Sequence, residues 1–307
     1  MDLAPIILFT YKRLKHTVAT VEALQKNTFA SLSDLIIFSD APLNAGDVQN
    51  VQEVRSFLRT ISGFRSVKII ERTKNFGLDK NIINGVTEIV KQYGKVIVLE
   101  DDLQTSPFFL EFMNAALTTY YDDENVIAVH GYLYPVKAKL PETFFVKGAD
   151  CWGWATWERG WANFEDDGKI LLKQLIEGNH ESSFNFNNAY PFTEMLKDQI
   201  DGKNRSWAIR WYASAFLKDM YTLYPGKSLV LNIGGDGSGV NVGIESLIKV
   251  QLAKAPIKVE KIDVQQNDIA FNAFAEFHSR LYHPSLFYKI RRKIKKMLTQ
   301  IGQFSSG

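Results

Sequence analysis

The chain has 307 residues, 36 of them basic and 34 acidic, and 46% are hydrophobic. That is enough to bury a sizeable core, and the charge is too evenly balanced to point to a nucleic acid partner. Cys151 is the only cysteine, which excludes internal disulfides and cysteine-built zinc sites and suits a reducing compartment. No apolar run reaches the roughly 18 residues of a spanning helix, and no charged-then-apolar leader is present, so a cytoplasmic location is expected.

Residues 4–10 (APIILFT) read as a buried strand, followed by Tyr11-Lys12-Arg13 and a helix carrying Val18, Val21 and Leu24. A second strand, 35–38, ends in Ser39-Asp40, and Asp47 is placed to cap a helix whose inner face is Val51, Val54, Leu58 and Ile61. A third strand, 67–70, leads through Asn75-Phe76-Gly77 to Asp79, a cap for a helix ending at Gly94.

The next strand stops abruptly. Val96-Ile97-Val98-Leu99 runs straight into Glu100-Asp101-Asp102. Four apolar β-formers in a row belong inside a sheet covered on both faces, so the acids emerge at the strand's end, where open α/β sheets bind ligands. Three adjacent carboxylates are unfavourable without a cation, and a hard divalent ion, Mn²⁺ or Mg²⁺, suits an all-oxygen site. An acidic turn facing solvent is the plain alternative.

Ser106-Pro107 then opens a helix with Phe109, Phe112, Ala116 and Tyr120 inside, and 126–129 is a further strand. The alternation predicts an α/β fold: a mostly parallel, Rossmann-like sheet flanked by helices. Residues 1–130 read as one half of this domain, 131–270 as its other half, and 271–307 as a helical basic tail. All six tryptophans fall between Trp152 and Trp211. Trp157 and Trp161 fit a buried helix face, whereas the Trp152-Gly153-Trp154 run suits a close-packed loop. At 286–301, Phe287, Ile290, Ile294, Met297 and Ile301 alternate with six basic residues, the pattern of an amphipathic helix on an anionic membrane or docked on the domain.

Several other signals fail on spacing. Gly226-Lys227-Ser228 lacks the glycine five residues earlier that a phosphate loop needs, the position being Tyr221, and Gly235, Gly237 and Gly239 lack dinucleotide spacing. The histidines (16, 130, 180, 278 and 283) are scattered, and no nucleophile elbow occurs. What remains is a carboxylate–metal site beside aromatic and polar residues. This combination suits a sugar nucleotide, whose diphosphate takes the ion and whose sugar faces stack on indoles.

These residues resemble a family. The run 5–13, the Ser39-Asp40 strand end, Asn75-Phe76-Gly77, and above all Val98-Leu99-Glu100-Asp101-Asp102-Leu103 with Ser106-Pro107-x-Phe109 look like nucleotide-sugar glycosyltransferases of GT-A fold. The pattern is that of Golgi N-acetylglucosaminyltransferase I and its bacterial surface-polysaccharide relatives. Gly153-Trp154-Ala155-Thr156-Trp157 and Leu229-Val230-x-Asn232-Ile233-Gly234 extend the likeness over roughly residues 4 to 240.

The resemblance implies an inverting, metal-dependent transfer from a nucleotide sugar, a UDP-sugar above others, to a glycan or lipid-linked glycan acceptor in lipopolysaccharide, O-antigen or capsule synthesis. It also implies that the half at 1–130 binds the nucleotide sugar and the half at 131–270 the acceptor. Asp102 would hold the metal, with Asp101 or Glu100 near ribose or donor sugar. Thr10, Arg13, Asp40, Asn75 and Gly77 would face the donor, Asp40 reading its base. Trp152, Trp154, Trp207 and Arg210 would face the acceptor. The enzyme would work at the inner face of the plasma membrane, held there through 286–301. Relatives have Trp-Asp where this chain has Trp207-Ala208, so the base must come from Asp150, Asp201 or Asp236, with Asp150 favoured beside the tryptophan loop. A sugar-1-phosphate nucleotidyltransferase and a non-catalytic glycan-binding protein are the alternatives.

Overall fold

In the computed structural model, which describes residues 2–236 and 245–282, the chain alternates strand and helix through its first half. β1 (Ile6–Thr10), α1 (Leu14–Gln25), β2 (Asp34–Ser39), α2 (Val48–Leu58), β3 (Ser66–Glu71), α3 (Gly77–Tyr93) and β4 (Lys95–Glu100) follow one another. Next come β5 (Leu103–Thr105), α4 (Phe109–Thr119), β6 (Val126–His130), β7 (Thr143–Lys147) and β8 (Trp154–Trp157). Helices α5 (Glu158–Trp161), α6 (Gly168–Glu177), α7 (Glu181–Phe184), α8 (Phe192–Ile200) and α9 (Trp207–Leu217) then build a cap. The described chain ends with β9 (Tyr221–Pro225), β10 (Val230–Asn232), α10 (Glu245–Ile248) and α11 (Asp268–Tyr282).

Eight strands form one sheet in the order β3-β2-β1-β4-β8-β6-β9-β7. The first four are mutually parallel, β6 and β9 are parallel, and β8 and β7 run against their neighbours. Alternate residues along each central strand enter opposite cores, as period-2 geometry requires. Ile6, Leu8, Leu35, Ile37, Ile97 and Leu99 pack with α1, α2 and α4. Ile7, Phe9, Ile36, Phe38, Val96 and Val98 face α3, α9 and four tryptophans. A third core joins Phe144, Val146 and Tyr224 to the helical cap and to α11.

Two caps differ from their sequence readings. Asp79 makes no cap for α3, whose first N–H groups are met instead by the carboxylate of Asp40 at the end of β2. Asp47 accepts hydrogen bonds from Tyr11 and Lys12 rather than from its own helix.

The boundary at 270/271 also needs correction, because α11 runs through it. Asn267 N donates to Phe145 O at 2.8 Å, and Ala270, Phe274, Phe277 and His278 are buried. The stretch is structural wall, not tail. The basic segment 286–301, with its expected membrane contact, and Gly237 and Gly239 lie outside the described residues. No helix among the described residues is long and apolar enough to cross a membrane.

Candidate functional site

Strand order turns at β1, which has β2 and β3 on one side and β4 on the other. The crevice beyond the carboxyl ends of such strands is where open α/β sheets hold ligands. Register places Phe9 opposite Glu100, so the residues after β1 and after β4 meet there. Arg13, at the start of α1, donates from Nη2 to Asp101 Oδ1 and, at 2.8 Å, to Asp102 Oδ2. The backbone carbonyl of Asp101 is fixed separately by the Thr20 hydroxyl at 2.8 Å.

One guanidinium thus faces three consecutive acids. Burial, then repulsion from Asp102 and Asp101, pushes the Glu100 carboxyl up to about 8. Burial raises Asp101 to about 6 against the opposing pull of Arg13. For Arg13, burial works against the charge, but the two aspartates outweigh it and the guanidinium is held more firmly protonated than usual.

A short antiparallel pair, β5 with β10, brings a second loop to this cluster. Ile233 N donates to Asp102 O at 2.9 Å, and Gly234 lies against the carboxylate, where a Cβ would stand 2.1 Å from Asp102 Oδ2. Asp236 follows, 3.2 Å from His16 Nε2. The donor set is hard oxygen carrying surplus negative charge, which fits Mg²⁺ or Mn²⁺. Among the described residues, no group of three His, Cys, Asp or Glu side chains converges as a complete metal cage. Such a site would take one or two ligands from the chain, Asp102 foremost, and the rest from phosphate and water.

Other residues expected to face the donor lie around the ends of β1 and β2. Asp40 is 4% exposed and accepts from the N–H groups of Ala41 and Phe76, both at 2.9 Å, and of Gly77 at 3.0 Å. Asp40, expected to face the base of the donor, thus holds the loop before α3 through three backbone N–H groups. Asn75 Nδ2 ties the same loop to Ala41 O at 2.6 Å, Gly77 has a left-handed φ of 74°, and the buried Thr10 hydroxyl has no partner among the described residues.

Glu100 is also the near wall of a cavity of about 580 Å³, whose other walls include Tyr134, Asp150, Trp152, Trp207 and His278. Its volume is that of a small-ligand site. Asp150 Oδ2 accepts from the Tyr134 hydroxyl at 2.5 Å and from Tyr224 at 3.5 Å, and Oδ1 accepts from Cys151 N at 2.7 Å. Two phenols and one amide fix this carboxylate while its side chain stays 18% exposed. Behind it His130 accepts the Trp152 N–H at 3.1 Å and is fully buried, which lowers its basicity. Arg205 stands on the rim and, unlike every other described arginine, makes no hydrogen bond or ion pair among the described residues. A separate hollow of about 630 Å³, lined by Gln174, His180 and Lys218, shares no residue with this one.

Four expected site residues are not brought to the cavity. Trp154 is fully buried, stacked on Trp207 at 5.5 Å and packed on Trp161 and Trp211. It is core, because β8 is an interior strand. Arg210 is 5% exposed and spends its guanidinium on Asp166. Asp201 closes α8 at the surface, paired with Lys203 at 2.9 Å. Asp236 stays beside His16, on the side of the acids. Conversely, Tyr134 and Tyr224 are not among the residues expected at the site, and His278 stands in the sequence as one of the scattered histidines. For His278 a signal existed, since Phe274, Phe277 and His278 recur at helical spacing.

No protein-family model matches the chain, and no curated protein matches it. Among solved structures it is similar to the mannosyltransferase PcManGT from Pyrobaculum calidifontis in complex with GDP-Man and Mn²⁺, at 16% identity, 42% of this chain, 37% of that one and a TM-score of 0.30. It is also similar to S. aureus TarS, at 14% identity over 76% of this chain and 37% of that one (TM-score 0.40), and to TarS 1–349, at 15% over 48% and 41% (TM-score 0.31). The chain spans less than half the length of each, and likenesses of this size assign no family.

Proposed function

We propose that the chain is an inverting glycosyltransferase that moves a sugar from a nucleotide-sugar donor to a glycan acceptor with the help of a divalent ion, in the making of a bacterial surface polysaccharide. The observation that supports this reading is the shared wall at Glu100. On one side of it lies an acidic strand end at the topological switch point, and on the other an aromatic cavity with a fixed carboxylate. A two-substrate transfer needs that juxtaposition, because the donor's anomeric carbon and the acceptor's hydroxyl must meet.

In this reading the nucleotide lies along the ends of β1 and β2, with its diphosphate toward Asp102 and its sugar past Glu100 into the mouth of the cavity. Mn²⁺ or Mg²⁺, held by Asp102, would supply positive charge for the departing diphosphate. Arg13 keeps the Asp101 and Asp102 carboxylates in place, and Gly234 leaves room for the latter. Asp150 takes the proton from the acceptor hydroxyl as its oxygen bonds to the anomeric carbon from the face opposite the leaving group. The C–O bond to the diphosphate breaks, the electron pair departs with it, and the configuration inverts. Tyr134 and Tyr224, whose hydroxyls donate to its carboxylate, hold Asp150 toward the cavity.

The test is a thermal-shift screen of sugar nucleotides with and without Mn²⁺, followed by assays for release of nucleoside diphosphate. Stabilisation by one donor class that requires the ion is expected. If no sugar nucleotide shifts the unfolding temperature under either condition, the reading fails.

A further inference from the structure

His278 presents an imidazole that the described residues surround with rings and give no hydrogen bond. The side chain is 5% exposed and lies on the inner face of α11 against the cavity that holds Asp150. Its neighbours are rings: Tyr134 at 5.1 Å, Phe186 at 5.0 Å, Phe192 at 5.3 Å, Phe277 at 5.6 Å and Tyr190 at 5.7 Å between centroids. Among the described residues none gives it a hydrogen bond. A neutral imidazole carries one N–H donor and one acceptor nitrogen, and a side chain buried to this extent ordinarily finds a partner. The residue lines the cavity together with Asp150 and Tyr134.

The chemistry of that partner follows from the group's charge. Burial drives the basicity of His278 down to about 4, with Asp150 opposing, so near neutral pH the ring is uncharged. It can give one hydrogen bond and accept one, which matches a hydroxyl and distinguishes neither anions nor cations. Tyr134 links the two polar groups of the cavity, its ring against His278 and its hydroxyl on Asp150. Aromatic walls around two such groups suit a sugar ring, with apolar C–H faces and a rim of hydroxyls.

We infer that His278 binds a hydroxyl of the acceptor sugar while Asp150 takes the proton from another hydroxyl of the same ring. The acceptor would then be a saccharide whose terminal residue enters the cavity, and His278 a residue that sets acceptor specificity. The inference rests on assigning this cavity to the acceptor.

His278→Phe keeps a ring in the aromatic cluster and removes both hydrogen-bonding atoms, and His278→Gln returns them on a different frame. For His278→Phe we expect the acceptor KM to rise about tenfold, the worth of one hydrogen bond. Donor KM and donor hydrolysis without acceptor should stay within about twofold of wild type, with partial recovery in His278→Gln. A wild-type acceptor KM in His278→Phe overturns the assignment, as does an equal fall in donor hydrolysis, since the ring would then serve packing alone.

Saturation-transfer NMR with a panel of free monosaccharides separates this idea from the catalytic reading. Saccharide binding by the wild type that His278→Phe loses supports the cavity assignment even if no sugar nucleotide is turned over. Absence of saccharide binding by the wild type, or its retention by His278→Phe, overturns it.

Discussion

The carboxylate of Asp102 occupies the space that a side chain on Gly234 would fill, since a Cβ there would lie 2.1 Å from Oδ2 and 2.9 Å from Cγ. Asp102 has little freedom to yield, because Arg13 holds the same oxygen at 2.8 Å and Ile233 N holds its carbonyl. Gly234→Ala should therefore displace the carboxylate at an overpacking cost of about 1–3 kcal/mol. If Asp102 holds the divalent ion, calorimetric titration with a nucleoside diphosphate and Mn²⁺ will show at least a tenfold loss of affinity, approaching that of Asp102→Asn. Unchanged Mn²⁺-dependent affinity in Gly234→Ala would remove Asp102 from the metal site.

Arg13 is in direct contact with both Asp101 and Asp102, and the Asp101 side chain beside it is only 6% exposed. Removing a single partner of such a pair leaves a buried charge uncompensated, at a cost of about 3–5 kcal/mol. Arg13→Gln should lose that much in urea unfolding, and Arg13→Gln with Asp101→Asn should recover a large part of it, because the second change removes the stranded charge. Simply additive losses in the double variant would mean that the pair carries no coupling.

Strands β1 to β4 and β6 could be read directly, because β1, β2 and β4 are unbroken apolar runs punctuated by Gly, Pro and Asp, whereas β5, β7, β8 and β9 have no counterpart in the pattern. The emergence of Glu100, Asp101 and Asp102 at a strand end could be read as well. Non-local partners could not be read. Local rules proposed Asp79 as the cap of α3, whereas Asp40 reaches that helix from β2, 37 residues before Gly77. The tryptophans misled for a related reason: composition shows that indoles cluster but not which strand is interior, and β8 turns Trp154 into core. The cavity joins Glu100, Asp150 and His278 from three distant parts of the chain, and no periodicity records that meeting.

Asp150 separates two kinds of damage. Its carboxylate is held by Tyr134 and by its own neighbour's amide, with no contact to Arg13 or Asp102. Asp150→Asn should lower kcat by about 10²–10⁴, the range for losing a general base, while nucleoside diphosphate affinity stays at wild type. Tyr134→Phe, which loosens the carboxylate without removing it, should lose about tenfold in kcat. Asp201→Asn, a change at an exposed surface pair, should leave both constants alone. If Asp201→Asn rather than Asp150→Asn abolishes transfer, the base has been misplaced.

The acids also set a pH signature. Burial, then repulsion from its two acidic neighbours, pushes the Glu100 carboxyl up to about 8 from its ordinary 4.5. The folded state therefore binds a proton that the unfolded state has released, and stability falls as pH rises between those values. The contribution is complete below the unfolded pKa and is lost as pH passes through about 8. Glu100→Gln has no proton to lose. It should unfold close to wild type near pH 5 and several degrees higher at pH 9 in the absence of divalent ions, as followed by circular dichroism. An equal Tm difference at both pH values would show that Glu100 ionises in the folded chain as it does in the unfolded one.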